Sequence, residues 1–486
     1  MKKKLLLLFC VFPFLCLSQQ RNAIWCFGDS VGIDWSNPQN PQFFTSAAKT
    51  RGTSVSISDS NGNLLFYAYT RATLPGKTGR VFDSSHELMQ NGDSIVGGGW
   101  YHEMVIVPDP ANSAIYYLFS IGVTSQDSGI YYSKIDMSLN SGLGKVILKN
   151  VQLFSGYLMT DCLTAIKHGN GRDWWVISRP VGTGSPTGNN IFVKYRIDPF
   201  GIYGPFIQTI GYQNNTNLGQ LLFNSDGSKC MFTNLNGLID YFSFDRCTGT
   251  LSNHINIRQV SHINPYLQFG GAFSANNSIF YTTTSVPSYA LYQYDLTAAN
   301  IQSSELLIDT LPVAHDSIGP GLLLLAPDNK IYWGHQYYDG TFFFPYPDTT
   351  FNQYNMNLSV INFPDSIGAS CNFHPFSFFL GGARTYYGLP NNPNYDLGVA
   401  TGNLCPVGVI EKEKLNTLKA YPNPTTGMVT IRGLNNVSVI IADVSGRIIK
   451  ITNSREGELN LSDLENGTYI ITAIEEQLNL KVTILH

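Results

Sequence analysis

SVSISDSNGNLLFYAY, Ser54 to Tyr69, reads as a β-hairpin. An apolar-rich strand runs into a polar turn centred on Asn61-Gly62, and a second strand of Leu, Phe and Tyr follows. Asn-Gly supplies the positive φ of a tight turn, and β-formers flank it. The figure returns as MVIVPDPANSAIYYLF (104–119), LTAIKHGNGRDWWVIS (163–178), QLLFNSDGSKCMFT (220–233), GAFSANNSIFYTTT (271–284) and LLLLAPDNKIYWG (322–334). With Gly62, Asn112, Gly171, Gly227, Asn277 and Asn329 as turn markers, the gaps are 50, 59, 56, 50 and 52 residues. A near-constant period of this size filled with strands predicts an all-β fold, a β-propeller.

Each repeat reads as four strands; in the second they fall near Met104 to Val107, Ile115 to Ser120, Ile130 to Asp136 and Val146 to Phe154. Large residues sit side by side at Tyr116-Tyr117, Tyr131-Tyr132, Trp174-Trp175 and Tyr386-Tyr387. Neighbouring strand residues face opposite ways, so such strands call for burial on both faces, as a blade between two others provides. At the start, AIWCFGDSVGIDW (23–35) lacks the first strand of the repeat; CNFHPFSFFLGGARTYYG (371–388) offers it from the other end. This predicts a seventh blade closed by both termini, with a six-bladed ring and decorated ends as the alternative.

Composition places the chain outside the cell. Only 13% of the 486 residues are charged, and Gly, Asn, Ser, Thr, Tyr and Phe abound, which suits a β-protein rich in tight turns. The formal charge is −4, and −7 once Lys2, Lys3 and Lys4 are set aside. Such a balance lacks the basic surface that phosphate backbones require, so nucleic acid is excluded as a partner. Residues 1–18 read as a signal peptide: a cationic MKKK, an apolar Leu5 to Leu17, and cleavage between Ser18 and Gln19. No later apolar run approaches the ~18 residues that span a bilayer, so no transmembrane segment is expected.

Six cysteines remain after cleavage: Cys26, Cys162, Cys230, Cys247, Cys371 and Cys405. Their spacing matches no zinc pattern, so no metal is expected, and nothing calls for a cofactor. Cys230 and Cys247, on successive strands of one repeat, are the favoured disulfide pair; buried free thiols are the competing reading.

IWCFGDSVGIDW, SISDSNGNLLFY, HELMQNGD, AIKHGNGRDWWVI, FDRCTGTLSN, LLLLAPDNKIY and GLPNNPNYDLG together resemble the large secreted propeller proteins of bacteria with type IX secretion. The resemblance covers about residues 21 to 400 and implies a propeller and an exported life; it brings no catalytic residue. The expected domains are therefore the signal peptide 1–18, the propeller 19–400, a linker 401–414 and a tail 415–486. The tail's short alternating strands suggest an immunoglobulin-like β-sandwich. Tyr421-Pro422-Asn423-Pro424 with Thr425-Thr426-Gly427, then Asp443-Val444-Ser445-Gly446-Arg447, then Leu464-Glu465-Asn466-Gly467-Thr468-Tyr469 resemble, in order, the motifs of the type A sorting domain of type IX secretion. That resemblance implies a tail addressed to the outer-membrane translocon, and a mature part released or held at the cell surface.

Chemistry is sparser. Asp59-Ser60-Asn61-Gly62-Asn63 offers oxygens at alternating positions, but Leu64 stands where a calcium loop needs Gly; this turn, Asp226-Gly227 and Asp328-Asn329 read as turns, not ligands. His102-Glu103 beside Trp100-Tyr101, just before a predicted inner strand, is the one polar-aromatic cluster near the expected axial cavity. A His beside a carboxylate serves as acid or base, but without a third group a hydrogen-bonded loop pair is the plainer reading. Asp161, His168, Asp173, His335 and His374 are single candidates without shared spacing. Among six tryptophans and 27 tyrosines, Trp35, Trp100 and Trp333 are the candidates for exposed stacking surfaces. The leading expectation is a binding or adhesion protein for an unknown protein or glycan. The alternative is a secreted polysaccharide-degrading propeller enzyme, hydrolase or lyase, and a structural surface-layer component is a third reading.

Overall fold

The computed structural model describes residues 20–486 except 72–76, 124–126, 183–188, 259–267, 286–287, 312–317, 338–349, 401–404, 406–418, 433–437, 444–447 and 474–477. The chain divides into two compact units, 1–405 and 406–486. The Ser18–Gln19 junction lies outside the described residues, as does the linker 401–414 apart from Cys405.

The opening hairpin forms as the turn chemistry dictates. Strands Ser54–Ser58 and Leu64–Tyr69 pair antiparallel, with Ser54 opposite Tyr69 and Ile57 opposite Phe66. Gly62 takes φ +92°. The Asp59 carboxylate accepts from the Asn61 and Asn63 amides and from the Asn63 side chain, so the turn consumes its own acid. Asn112, Asn170, Asp226 and Asp328 accept from amides two residues on in the corresponding turns.

Among the described residues, seven consecutive antiparallel sheets build the first unit, five of four strands and two, the first and second, of three. The second repeat divides into Met104–Pro108, Ile115–Gly122, Gly129–Asp136 and Lys145–Phe154. The first strands of the sheets pack in succession: Ile24–Phe27, Ser54–Ser58, Met104–Pro108, Thr164–Lys167, Gly219–Phe223, Gln268–Phe273 and Ile318–Leu325. This is a β-propeller, its inner strands around an axis. Second strands are buried throughout in the third, fourth and sixth sheets, including Tyr116-Tyr117 and Trp174-Trp175. The outer strand Gly201–Asn214 is half-buried or exposed along nearly its whole length.

The first and seventh sheets meet without the expected shared strand. Ile24–Phe27 is itself the inner strand of the first sheet, and Phe373–Phe379 is the outer strand of the seventh, paired with Asn357–Ile361. One bridge, Asp29 to Arg384, joins the C-terminal stretch to the first sheet. Trp25, Phe27, Val31 and Ile33 share a core with Leu322, Tyr332 and Leu358. Apolar packing thus replaces a strand ladder at this seam.

The favoured disulfide is not formed. Cys230 sits wholly buried as a free thiol on Lys229–Asn234, while Cys247, beyond the following strand, bonds Cys405. Cys230 lies opposite Phe242 in its ladder, which directs the thiol into the apolar core rather than toward the turn that holds Cys247.

The second unit holds two antiparallel sheets, one of three strands and one of four. Val429, Ile431, Leu459, Val439, Ile441, Ile471 and Val482 from both sheets form one core. Within it, Asn423 donates to the Lys481 carbonyl and accepts from the Thr483 amide. Thr425 pairs with the chain at Thr483 and Leu485. His486 is held by the Leu464 carbonyl and the Asn466 side chain. Two of the three tail motifs therefore fasten the C-terminal strand; the middle one lies outside the described residues beyond Asp443.

Candidate ligand site in the axial channel

Beyond the seventh sheet the chain does not leave the ring. It crosses the channel as a strap. The Leu322 amide donates to the Tyr387 carbonyl, and the Asn391 amide donates to the Ser54 carbonyl. The Asn391 side-chain amide then bridges the carbonyls of Met104, on the second repeat's inner strand, and Leu163, just before the third's, at 2.8 and 2.9 Å. Asn392 exchanges hydrogen bonds with Ser56, Asn394 donates to the Ser225 carbonyl, and the Tyr395 hydroxyl donates to the Ile106 carbonyl. Lys167 donates to the Tyr395 carbonyl at 2.7 Å, and Asn22 to the Pro393 carbonyl. Farther along, Arg246 holds the Gly398 carbonyl and Cys405 is bonded to Cys247. Side-chain amides suit this work because each carries donors and an acceptor, and inner-strand carbonyls facing an axis lack ladder partners.

A cavity of about 510 Å³ remains between the strap and the inner strands of the later sheets. Leu221, Ala272, Leu322 and Leu324 give it apolar walls, and Asn22, Asn224, Asn391 and Asn394 give it amides. Asp396 is the one carboxylate in its lining. Burial pushes that carboxyl above its ordinary range, against the pull of Lys167 and Arg21. His102 also lines the cavity; burial drives its pKa down to about 3, so it is neutral at physiological pH. Its Nδ1 is buried without a partner among the described residues.

The polar-aromatic cluster proves to be a brace. Glu103 is wholly buried and accepts from the Thr70 hydroxyl and from the amides of Gly98, Gly99 and Trp100, all within 2.9 Å. The third group is Asp161, a single candidate in the sequence, which accepts from the amides of Tyr101 and His102 at 2.6 Å each. Burial, and for Asp161 also the neighbouring Glu103, raises both carboxyls. Trp100 and Tyr101 are half-buried, and Tyr101 meets the Tyr387 ring edge-on at 5.3 Å.

Trp35 and Trp333 correct the expectation of exposed stacking surfaces: they are 2% and 0% exposed. Trp35 lies parallel to Phe378 of the seventh sheet, and Trp333 packs against His335 and Phe373. The single candidates scatter. His168 bonds the Cys247 carbonyl, Asp173 pairs with Arg172, buried His335 meets the Ser359 hydroxyl, and exposed His374 meets Asn372. No group of three His, Cys, Asp or Glu side chains able to hold a metal occurs among the described residues. The strap residues went unrecognised because NNPNYD carries no strand alternation; its run of amides is the signal.

Residues 419–485 match the secretion system C-terminal sorting domain. No curated protein matches the chain. Among solved structures, it is similar to a putative 6-phosphogluconolactonase from Bacteroides fragilis at 10% identity and TM-score 0.46, covering 75% of this chain and 96% of that one. It is also similar to the periplasmic gluconolactonase PpgL of Pseudomonas aeruginosa, at 12% identity and TM-score 0.39 over 84% and 96% of the two chains. PorZ, a surface component of the type IX secretion system of Porphyromonas gingivalis, is similar at 11% identity and TM-score 0.29, over 95% and 74%. Such distant likenesses carry nothing about chemistry. No helix among the described residues is long and apolar enough to cross a membrane. The chain is a β-propeller protein whose C-terminal sorting domain engages the type IX secretion machinery and sends it to the cell surface or beyond.

Proposed function

We propose that this exported protein is a binding or adhesion protein whose propeller is the recognition platform and whose axial cavity seats the ligand. The observation that carries this reading is the character of the cavity: apolar walls, several amides, one carboxylate and a neutral histidine. Amides and apolar surface recognise hydroxyl- and amide-bearing groups, such as a sugar unit of a glycan or a peptide end. General acid–base chemistry calls for two groups of matched pKa facing the ligand. Glu103 and Asp161 instead spend their oxygens on backbone amides of residues 98–102, Asp161 reaching that stretch from a distant part of the chain. That speaks against the hydrolase alternative.

The test is binding of the purified chain to glycan and peptide arrays, with product analysis of every bound glycan. The expected result is binding without turnover that Ser225→Trp weakens, because Ser225 is an exposed residue of the cavity lining. Turnover of a bound glycan, or the lack of any array ligand whose binding Ser225→Trp weakens, would overturn the reading.

A further inference from the structure

A second concavity lies away from the axis, between the fourth sheet and the Asp245–Thr250 turn of the fifth. It encloses about 440 Å³. Lys194 and Arg196 line it from Asn189–Asp198, Phe206 and Ile207 from the outer strand Gly201–Asn214, and Thr248 and Thr250 from the turn. Two residues apart on one strand, the cations face the same side. Among the described residues no carboxylate belongs to its lining; Asp245 stands behind it, bonded to the Thr248 hydroxyl.

Lys194 is the anomaly. The residue is 5% exposed, yet both acceptors it meets are neutral: the Gln208 side chain at 2.7 Å and the Gly249 carbonyl at 2.5 Å. An ammonium carries three donors, so one N–H is left without an acceptor among the described residues. Burial is the one cause acting on it, lowering its pKa to about 8. Arg196 is bonded through Nη2 to Asp198, but its Nε is buried without a partner. A purely structural link between the sheets needs no charge there, and a buried cation without a counter-ion is costly. Gln208 already ties the sheets together through both the carbonyl and the amide of Leu251.

We infer that this groove binds the oxyanion of an acidic saccharide, a carboxylated or sulfated sugar unit. The spare donors of Lys194 and Arg196 supply charge-assisted hydrogen bonds to the oxyanion. Phe206, 38% exposed and edge-on to Trp175 at 5.9 Å, and the exposed Ile207 offer the apolar surface a sugar ring lies on. The hydroxyls of Thr248 and Thr250 are bonded to each other, and Thr248 also to the Asp245 carboxylate, each at 2.9 Å, so what they offer a sugar hydroxyl is their free lone pairs. The site is independent of the axial cavity.

Calorimetric titration of the full chain with tetragalacturonate, a sulfated tetrasaccharide and neutral cellotetraose tests this. At least one acidic probe should bind about tenfold or more tightly than cellotetraose, as charge-assisted bonds predict. Whichever acidic probe binds identifies the oxyanion as carboxylate or sulfate. Arg196→Gln, at a half-exposed position, and Lys194→Met should each weaken that binding about tenfold, with folding checked by circular dichroism. Ser225→Trp, which fills the axial cavity, should leave it unchanged. Equal affinity for cellotetraose, no binding of either acidic probe, or acidic binding unaltered by Arg196→Gln would overturn the inference, whatever becomes of the axial site.

Discussion

Buried titratable side chains make the stability of this fold depend on pH. His335 is wholly buried, with Nε2 against the Ser359 hydroxyl and burial pushing its pKa down to about 3. The folded chain therefore refuses a proton that the unfolded chain accepts near its ordinary value of about 6.5. Stability that is complete above that value is lost as pH falls toward 3. Relative to His335→Gln, the wild type should lose about 1.4 kcal/mol per pH unit between roughly pH 6 and 4. Urea midpoints at several pH values check this; a difference independent of pH would refute it. A second residue-scale case is Gly388, where an added Cβ would stand 1.9 Å from the Gly52 carbonyl. Gly388→Ala should cost about 1–3 kcal/mol, read as a lower denaturant midpoint. Turn residues were legible because Asx turns and Gly62 act within a few positions. The burial of Trp35 was not, because the ring that covers it, Phe378, comes from the far end of the propeller.

At the scale of elements, hairpins could be read from the sequence and the strap could not. A strand declares itself through its own pattern, as Ile115–Gly122 does. A strap such as 387–400 takes its conformation from carbonyls of other sheets, at Ser54, Met104, Ile106, Leu163 and Ser225, so its own residues carry no periodicity. The same limit misassigned the disulfide, since Cys230 and Cys247 are neighbours in the chain while the bonded pair is 158 residues apart. Closing so long a loop restricts the unfolded chain strongly. Cys247→Ser with Cys405→Ser should lower stability by about 2–4 kcal/mol. Hydrogen exchange in 389–400 should quicken more than in the inner strands, because the strap loses its far anchor. Uniform exchange across the ring would show that the strap's own hydrogen bonds suffice.

For the whole molecule, architecture and destination were written in the repeats and in the tail motifs, whereas the proposed ligand site was not, because the axial cavity is lined by residues of several sheets at once. Truncation after Cys405 removes the sorting domain and leaves the first unit whole. In a type IX-secreting host, the truncated chain should remain in the periplasm, and protease shaving of intact cells should find it protected while the full chain is cut. The position of the Cys247–Cys405 bond adds a mechanical consequence. Cys405 is the last residue of the first unit, so tension applied through the tail enters the propeller at that sulfur. The load passes straight into the fifth sheet's turn through a covalent link. The strap then lies beside the stiffer covalent load path, and the channel contacts of Asn391 and Tyr395 should be spared much of any pull exerted on the tail.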